Sequence, residues 1–347
     1  MPPVAVDYII GNPLVVNYAA GGNVQQQLQN GYAIDFLSLR LTGTAVLASY
    51  STAPQKFVES IENVVPNFQL QATGRSSGAT TDQLCNVDFS YLRTKTRLME
   101  GTDVTRTDIG TANGTYSFET NVRRYFNDPR STSSALTRIF TSLLTSLTSS
   151  FQFGDATRLV TGGTGGTATI SAAQVTVQAR QYLGMTPPDH SPYVKETQRQ
   201  YNIQQSTNGY VCDRVPLGNI LRRQYIKGLV GTANWNDPSD SIFGATGKPE
   251  GPHIQLYINQ AVYKLDAIYQ QLRDDNKKLF GVEVMPSGYA VYEPSRNKKL
   301  ATSVPMAGVM QAQNNIDVAY QSGSVNTIQI TDEQIVGATL GDWNASK

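Results

Sequence analysis

The sequence predicts an all-β protein of two tandem domains with a few inserted helices. Three observations carry that reading. In Gly31 to Gly43 (GYAIDFLSLRLTG), Leu37, Leu39 and Leu41 alternate with Ser38, Arg40 and Thr42. That is the period of a strand with one buried and one wet face. The same order then recurs. IENVVPNFQLQATG (Ile61 to Gly74) follows the first strand as a second. Half a chain later GNILRRQYIKGLVG (Gly218 to Gly231) is followed by HIQLYINQAVYKL (His253 to Leu265), where Ile254, Leu256 and Ile258 alternate with Gln255, Tyr257 and Asn259. Both first members run into Gly-Thr-Ala, at Gly43 to Ala45 and Gly231 to Ala233. This reads as a weak internal duplication of one β-domain. The third observation is Met185 to Pro192, whose prolines 187, 188 and 192 oppose both helix and central strand. It falls near the middle of the chain, where a duplication calls for a linker. The expected organisation is an arm over 1–21, a first domain over 22–184, a linker over 185–192 and a second domain over 193–347.

Length and composition agree. A chain of 347 residues has room for two cores. Charged residues make up only 16%, below the usual quarter; Ser, Thr, Gln, Asn and Gly take their place. Such a surface suits long loops and large contacts better than electrostatic steering. Twenty-eight basic and 27 acidic residues give a net charge of +1, so no global charge points to nucleic acid or anionic lipid. Two distant cysteines, Cys85 and Cys212, form no zinc pattern or disulfide framework and read as small buried residues. The N-terminal stretch MPPVAVDYIIGNPLVV lacks Lys and Arg and is interrupted by Asp7, Asn12 and Pro13, so it reads as neither signal peptide nor spanning helix. An uncharged apolar run of about eighteen residues is missing throughout.

In chain order, Val4 to Val16 reads as two short extended segments around the turn Gly11-Asn12-Pro13. Further strand alternations lie at Val87, Phe89 and Tyr91, at Tyr116 and Phe118, and at Val175, Val177 and Ala179. Ser131 to Ser150 breaks the pattern. Leu136, Ile139, Phe140, Leu143, Leu144 and Leu147 are spaced by three and four, which predicts a one-sided helix docked on the sheets. TGGTGGT (Thr161 to Thr167) reads as a flexible loop. It lacks the Lys-Ser/Thr and following helix of a phosphate cradle, and Ala168 to Ile170 reads as strand. In the second domain Asp266 to Phe280 reads as a helix, and Tyr289–Tyr292, Ile316–Tyr320 and Val325–Ile330 as strands.

The search for chemistry assigns no catalytic, cofactor-binding or metal-ligating residue. His190 and His253 are the only histidines and have no motif partner. Asp274-Asp275 beside Lys277 and Lys278 reads as a solvated helix face. The basic spots Arg123-Arg124, Arg222-Arg223 with Lys227, and Arg296 with Lys298-Lys299 read as ordinary surface. Asn113-Gly114-Thr115 and Asn344-Ala345-Ser346 match the glycosylation pattern, which chance also produces.

The strand order resembles corticovirus-like major capsid proteins, the double jelly-roll proteins of tailless icosahedral membrane-containing viruses in the tectivirus and adenovirus lineage. In the first half the resemblance runs through Val24 to Leu28, GYAIDFLSLRLTGTA and IENVVPNFQLQATG. In the second it runs through YNIQQSTNGY (Tyr201 to Tyr210), RRQYIKGL (Arg222 to Leu229), IQLYINQAVYKL and the helix from Asp266. It is a pattern of strands and not a set of fixed motif residues. The Gly-rich loop and the first 21 residues have no counterpart in it.

The resemblance implies two eight-stranded jelly rolls in one chain. It implies a homotrimeric, pseudo-hexameric capsomer that tiles an icosahedral shell over an internal lipid membrane. The implied partners are neighbouring capsomers and minor capsid and penton proteins, with no sequence-specific nucleic acid. The implied place is the virion shell, assembled in the host cytoplasm. Two other readings compete. A two-domain β-sandwich lectin or receptor-binding spike would use the 18 tyrosines and polar loops on sugars. A β-sandwich hydrolase would need a carboxylate pair at catalytic separation, and the sequence selects none.

Overall fold

The computed structural model describes residues 4–6, 14–28, 33–74, 81–130, 137–187, 191–232, 235–244, 247–259, 262–294 and 304–337. The chain divides into two compact units, Met1–Tyr193 and Val194–Lys347.

The first unit has eight principal strands: β1 (Leu14–Asn17), β2 (Asn23–Gln27), β3 (Ala33–Ala48), β4 (Asn67–Gly74), β5 (Thr81–Val87), β6 (Gly114–Tyr125), β7 (Leu144–Gln152) and β8 (Thr167–Leu183). They form two antiparallel sheets, in the orders β1-β8-β3-β6 and β2-β7-β4-β5. First pairs with last and second with seventh, the plan of an eight-stranded jelly roll. Short strands extend it. Val4–Val6 pairs with the end of β8, Arg106–Thr107 with β6, and Ile139–Phe140 with the start of β3.

In β3 Leu37, Leu39 and Leu41 are fully buried as expected, but of the residues alternating with them only Arg40 is exposed: Thr42 is half-buried, and Ser38 is buried with its hydroxyl donating to Asn121 at 2.8 Å. From the other sheet Phe68 and Phe151 meet Phe89, with ring centroids 5.1 to 6.3 Å apart. Burying each such ring contributes roughly 1.5–3 kcal/mol. The strand foreseen over Ile61–Gly74 begins only at Asn67; a 3-10 turn, Glu62–Val64, precedes it.

Two expectations fail here. Val87 ends β5, but Phe89 and Tyr91 open a helix, α1 (Phe89–Glu100). Asp88 caps it, accepting the Tyr91 N–H at 2.6 Å, and Gly101 closes it at φ 74° with its N–H on the Arg97 carbonyl. A backbone cap and a buried face at Leu92, Leu98 and Met99 outweigh two residues of alternation. Conversely, the helix expected over Ser131 to Ser150 is not there. Residues 131–136 lie outside the described residues. The rest is the strand Ile139–Phe140, a 3-10 turn at Thr141–Leu143 and β7. The β-branched Thr145 and Thr148 of β7 suit a pleated sheet better than a helix.

The Gly-rich loop is held in place. Thr52 and Thr164 bridge, and the Ser51 N–H donates to the Thr164 carbonyl at 2.9 Å. A Cβ on Gly166 would lie 2.2 Å from the Tyr50 ring, so only glycine lets the loop close over that side chain.

The second unit repeats the plan. Its eight principal strands are β9 (Tyr193–Ile203), β10 (Thr207–Cys212), β11 (Ile220–Thr232), β12 (His253–Ile258), β13 (Val262–Ile268), β14 (Tyr289–Tyr292), β15 (Ala312–Val318) and β16 (Val325–Val336), and the short strands Trp235–Pro238 and Val304–Pro305 pair with β11. The sheets run β9-β16-β11-β14 and β10-β15-β12-β13. Each strand occupies the place of the one eight earlier. The helices match too: α2 (Tyr269–Phe280) follows the fifth strand here, as α1 does in the first unit. The duplication read from strand order is therefore a duplication of topology.

The expected strand His253–Leu265 is a hairpin, with Asn259 at φ 51° after β12 and the return strand continuing to Ile268. The helix consequently starts at Tyr269 and not at Asp266. The core gathers Ile254, Leu256 and Ile258 of β12 with Leu221 and Ile226 of β11 and Ile328 and Ile330 of β16.

Candidate functional site

The charged residues that sequence reading left on the surface are largely inside. Arg222, Arg223 and Lys227 of β11 are each at most 5% exposed, and Arg124 is fully buried. The cause is a β-bulge. The β11–β16 register shifts between Leu221 and Arg223, so that two consecutive arginines face one carboxylate. Arg222 reaches Glu333 at 3.1 Å and Arg223 reaches it at 3.3 Å; Arg223 also pairs with Glu293 at 2.8 Å. Lys227 lies 5.2 Å from the centroid of the Tyr289 ring. Nothing in RRQYIK announces a bulge, so the alternation could not be phased from sequence. Arg296, Lys298 and Lys299 lie outside the described residues.

Beside that cluster a second network joins the two sheets. Arg199 of β9 binds Asp332 of β16 through both carboxylate oxygens, at 2.6 and 3.1 Å. Gln224 of β11 donates to Asp332 at 2.7 Å and to the Asn314 carbonyl oxygen at 3.2 Å, and Asn314 of β15 donates back to Gln224 at 2.9 Å.

The first unit has its own ionic knot, built around the 3-10 turn before β4. Glu62 is fully buried and accepts from Arg106 at 3.1 and 3.3 Å and from Thr120 at 3.0 Å, with Arg93 at 3.7 Å. Arg93 also binds Asp103, at 3.0 Å, and Lys56 binds Asp108 at 2.6 Å. Burial alone would raise the Asp108 carboxyl; the Lys56 hydrogen bond and the Arg106 charge outweigh it and hold it below the usual carboxylate range. Asp103 behaves alike, with Arg93 overcoming burial.

A cleft of about 490 Å³ opens near the start of β3 and the ends of β6 and β8. The guanidinium groups of Arg123 and Arg180 lie 4.8 and 5.9 Å from the centroid of the Phe36 ring. Arg123 pairs with Glu100, and Arg138 with Asp35.

These arrangements pair charge with charge. They place no activated nucleophile beside a base. Burial pushes the Cys212 thiol up to about 12, the setting of a structural and not a reactive cysteine; Cys85 and Cys212 are both buried free thiols. His253 contacts Asp266 through Nδ1 at 2.9 Å and Glu250 through Nε2 at 3.4 Å. The hydrogen bond from His253 holds the Asp266 carboxyl low. Asp274 and Lys277 pair at 3.0 Å on the exposed face of α2. The Asn113 side chain exchanges hydrogen bonds with the Tyr50 backbone at 2.9 Å each way. His190 and Asn344 lie outside the described residues. Among the described residues no group of three or more His, Cys, Asp or Glu could hold a metal ion, and no helix is long and apolar enough to cross a membrane.

No protein-family model and no curated protein matches the sequence. Solved structures do match. The crystal structure of the STIV MCP superposes with a TM-score of 0.69 at 12% identity, over 98% of both chains. A chain from the atomic structure of Sulfolobus Turreted Icosahedral Virus gives 0.70 at 12% identity, over 99% of this chain and 93% of that one. The major capsid protein P2 from Bacteriophage PM2 gives 0.58 at 12% identity, over 94% of this chain and 98% of that one. At such identities the likeness is one of fold, and it spans nearly the whole of each chain. This chain has the double jelly-roll fold that those viral proteins share.

Proposed function

We propose that this chain is a major capsid protein, the repeated building block of an icosahedral virion, with a structural and not a catalytic role. The observation that carries the reading is the strand-for-strand duplication. Two copies of one eight-stranded unit in one chain let three chains present six similar units around an axis. That supports a homotrimeric, pseudo-hexameric capsomer. The match in fold to a viral major capsid protein over 94% of this chain supports the same reading.

The finer assignments follow from it. Residues 185–192 serve as the linker between a first roll that begins at Leu14 and a second roll at 193–347. The arm expected over 1–21 shortens to the residues ahead of Leu14, because Leu14–Asn17 is the strand that closes the first roll against β8. The partners are neighbouring capsomers, minor capsid and penton proteins, and an internal membrane beneath the shell. The place of residence is the virion shell, with assembly in the host cytoplasm.

Electron microscopy and protein quantification of purified particles test the proposal. The expected result is a shell built mainly of this chain. A particle holding only a few copies would overturn it.

A further inference from the structure

Sheet edges are where a β-protein meets other chains, and most edges are blunted by charge, proline or a bulge. The edge strand β2 has none of these. Its sequence is Asn23-Val24-Gln25-Gln26-Gln27, and its pairing with β7 runs without a register shift through all five residues. The corresponding edge strand in the second unit, β10, differs: its register shifts between Thr207 and Tyr210, with Gly209 at φ 102°.

The direction of the backbone groups of β2 follows from its neighbours. The Leu28 N–H donates to the Leu147 carbonyl at 2.8 Å, and the Gly22 carbonyl accepts from the Phe153 N–H at 2.9 Å. Antiparallel pairing alternates inward- and outward-bonding residues. Even-numbered residues from Gly22 to Leu28 therefore bond inward to β7. Asn23, Gln25 and Gln27 turn their N–H and C=O groups outward, and all three residues are exposed. Among the described residues no strand pairs with that edge.

We propose that β2 is a strand-pairing seam whose occupant is β2 of a second copy of this chain, antiparallel across a two-fold axis through Gln25. A two-fold contact sets each residue against its mirror partner: Asn23 against Gln27, Val24 against Gln26, and Gln25 against itself. The strand carries no charge, so it meets itself without the like-charge repulsion that directly opposed residues would suffer. Its amide side chains can bond across the seam as the backbone does. The three outward residues supply hydrogen-bonded pairs that exchange both backbone bonds. A two-fold contact cannot close a ring of three, so in the shell the seam joins one trimer to the next. That placement rests on the capsid reading; the pairing itself does not.

Cysteine cross-linking tests the seam. Gln25 would face its own copy in a hydrogen-bonded pair, with Cα atoms about 5.5 Å apart and Cβ atoms about 5 Å apart, wider than a disulfide spans but within reach of a short bifunctional thiol reagent. Gln25→Cys is expected to give a covalently linked dimer with such a reagent, and the native Cys85 and Cys212 are buried and do not compete. Asn23→Cys alone should not link, but an Asn23→Cys chain mixed with a Gln27→Cys chain should. Gln25→Pro removes an N–H that points to solvent, so the β2–β7 ladder survives; this variant should keep its melting temperature and lose self-association. Folded Gln25→Cys protein that fails to link overturns the seam, as does folded Gln25→Pro protein that still pairs. If such protein nevertheless assembles into particles, the seam is wrong and the capsid reading stands.

Discussion

The side-chain amides of Gln224 and Asn314 exchange two hydrogen bonds, at 3.2 and 2.9 Å, across the interior of the second roll. Gln224 belongs to one sheet and Asn314 to the other, so the pair ties the two layers together where most jelly-roll positions would carry hydrocarbon. Asn314→Leu would strip the Gln224 carbonyl oxygen of its donor in a site closed to water. An unsatisfied buried group of that kind costs about 1–3 kcal/mol. Denaturant unfolding of the variant should show that loss. The double variant with Gln224→Leu should cost less than the sum of the two singles, because the residues act as one unit.

Glu62 holds the first roll in a comparable way. It is fully buried and gathers Arg106, Arg93 and Thr120. Glu62→Gln leaves two guanidinium groups facing a neutral amide. Breaking a buried pair by removing one partner costs about 3–5 kcal/mol, so the melting temperature should fall sharply. A fall no larger than that of an exposed control, such as Asp274→Asn, would show that water reaches the knot.

Acid should act on the same region. Asp103 and Asp108 both sit below the ordinary carboxylate range, their basic partners outweighing burial. Their stabilisation is therefore complete above the unfolded value of about 3.9 and is lost as pH falls through the lower folded values. Melting temperature against pH should drop on the acid side of about 4. Asp108→Asn should make that limb shallower and leave the neutral plateau slightly lower.

Gly166 offers a packing test. A methyl group there would collide with the ring of Tyr50, 2.2 Å away at its root. Overpacking of this kind costs typically about 1–3 kcal/mol. Gly166→Ala should be destabilising in thermal unfolding, and Tyr50→Ser in the same chain should recover most of the loss.

How far the fold was legible depended on which force dominated locally. In β3 the outer face is wet at Arg40 and the inner face is Leu37, Leu39 and Leu41, so period-two alternation shows directly. In β11 both faces are buried and a bulge shifts the phase at Arg222, so the same kind of strand could be found but its charged residues were put on the wrong side. At Val87 to Tyr91 the decisive residue was Asp88, whose cap starts a helix; an N-cap aspartate followed by Leu92, Leu98 and Met99 was a readable signal. In β7 the cues conflicted, with the β-branched Thr145 and Thr148 favouring a strand. Leu143, Leu144 and Leu147 fit helical spacing, and only pairing with β4 and β2, distant in sequence, makes the segment a strand. The ionic networks were illegible for a related reason, because Arg106 with Glu62 and Arg199 with Asp332 meet only after the sheets are assembled.

The closing of first strand on last also governs how the chain can be made. Leu14 pairs with Val177, so the first roll cannot complete its sheet until β8 has left the ribosome, and β16 must likewise arrive before β9 is sealed. Long-range closure of this kind slows folding. At ordinary elongation rates, synthesis from Leu183 to Val336 takes roughly ten to thirty seconds. During that interval the first roll can close alone, before its near-copy emerges with strands able to compete for the same places.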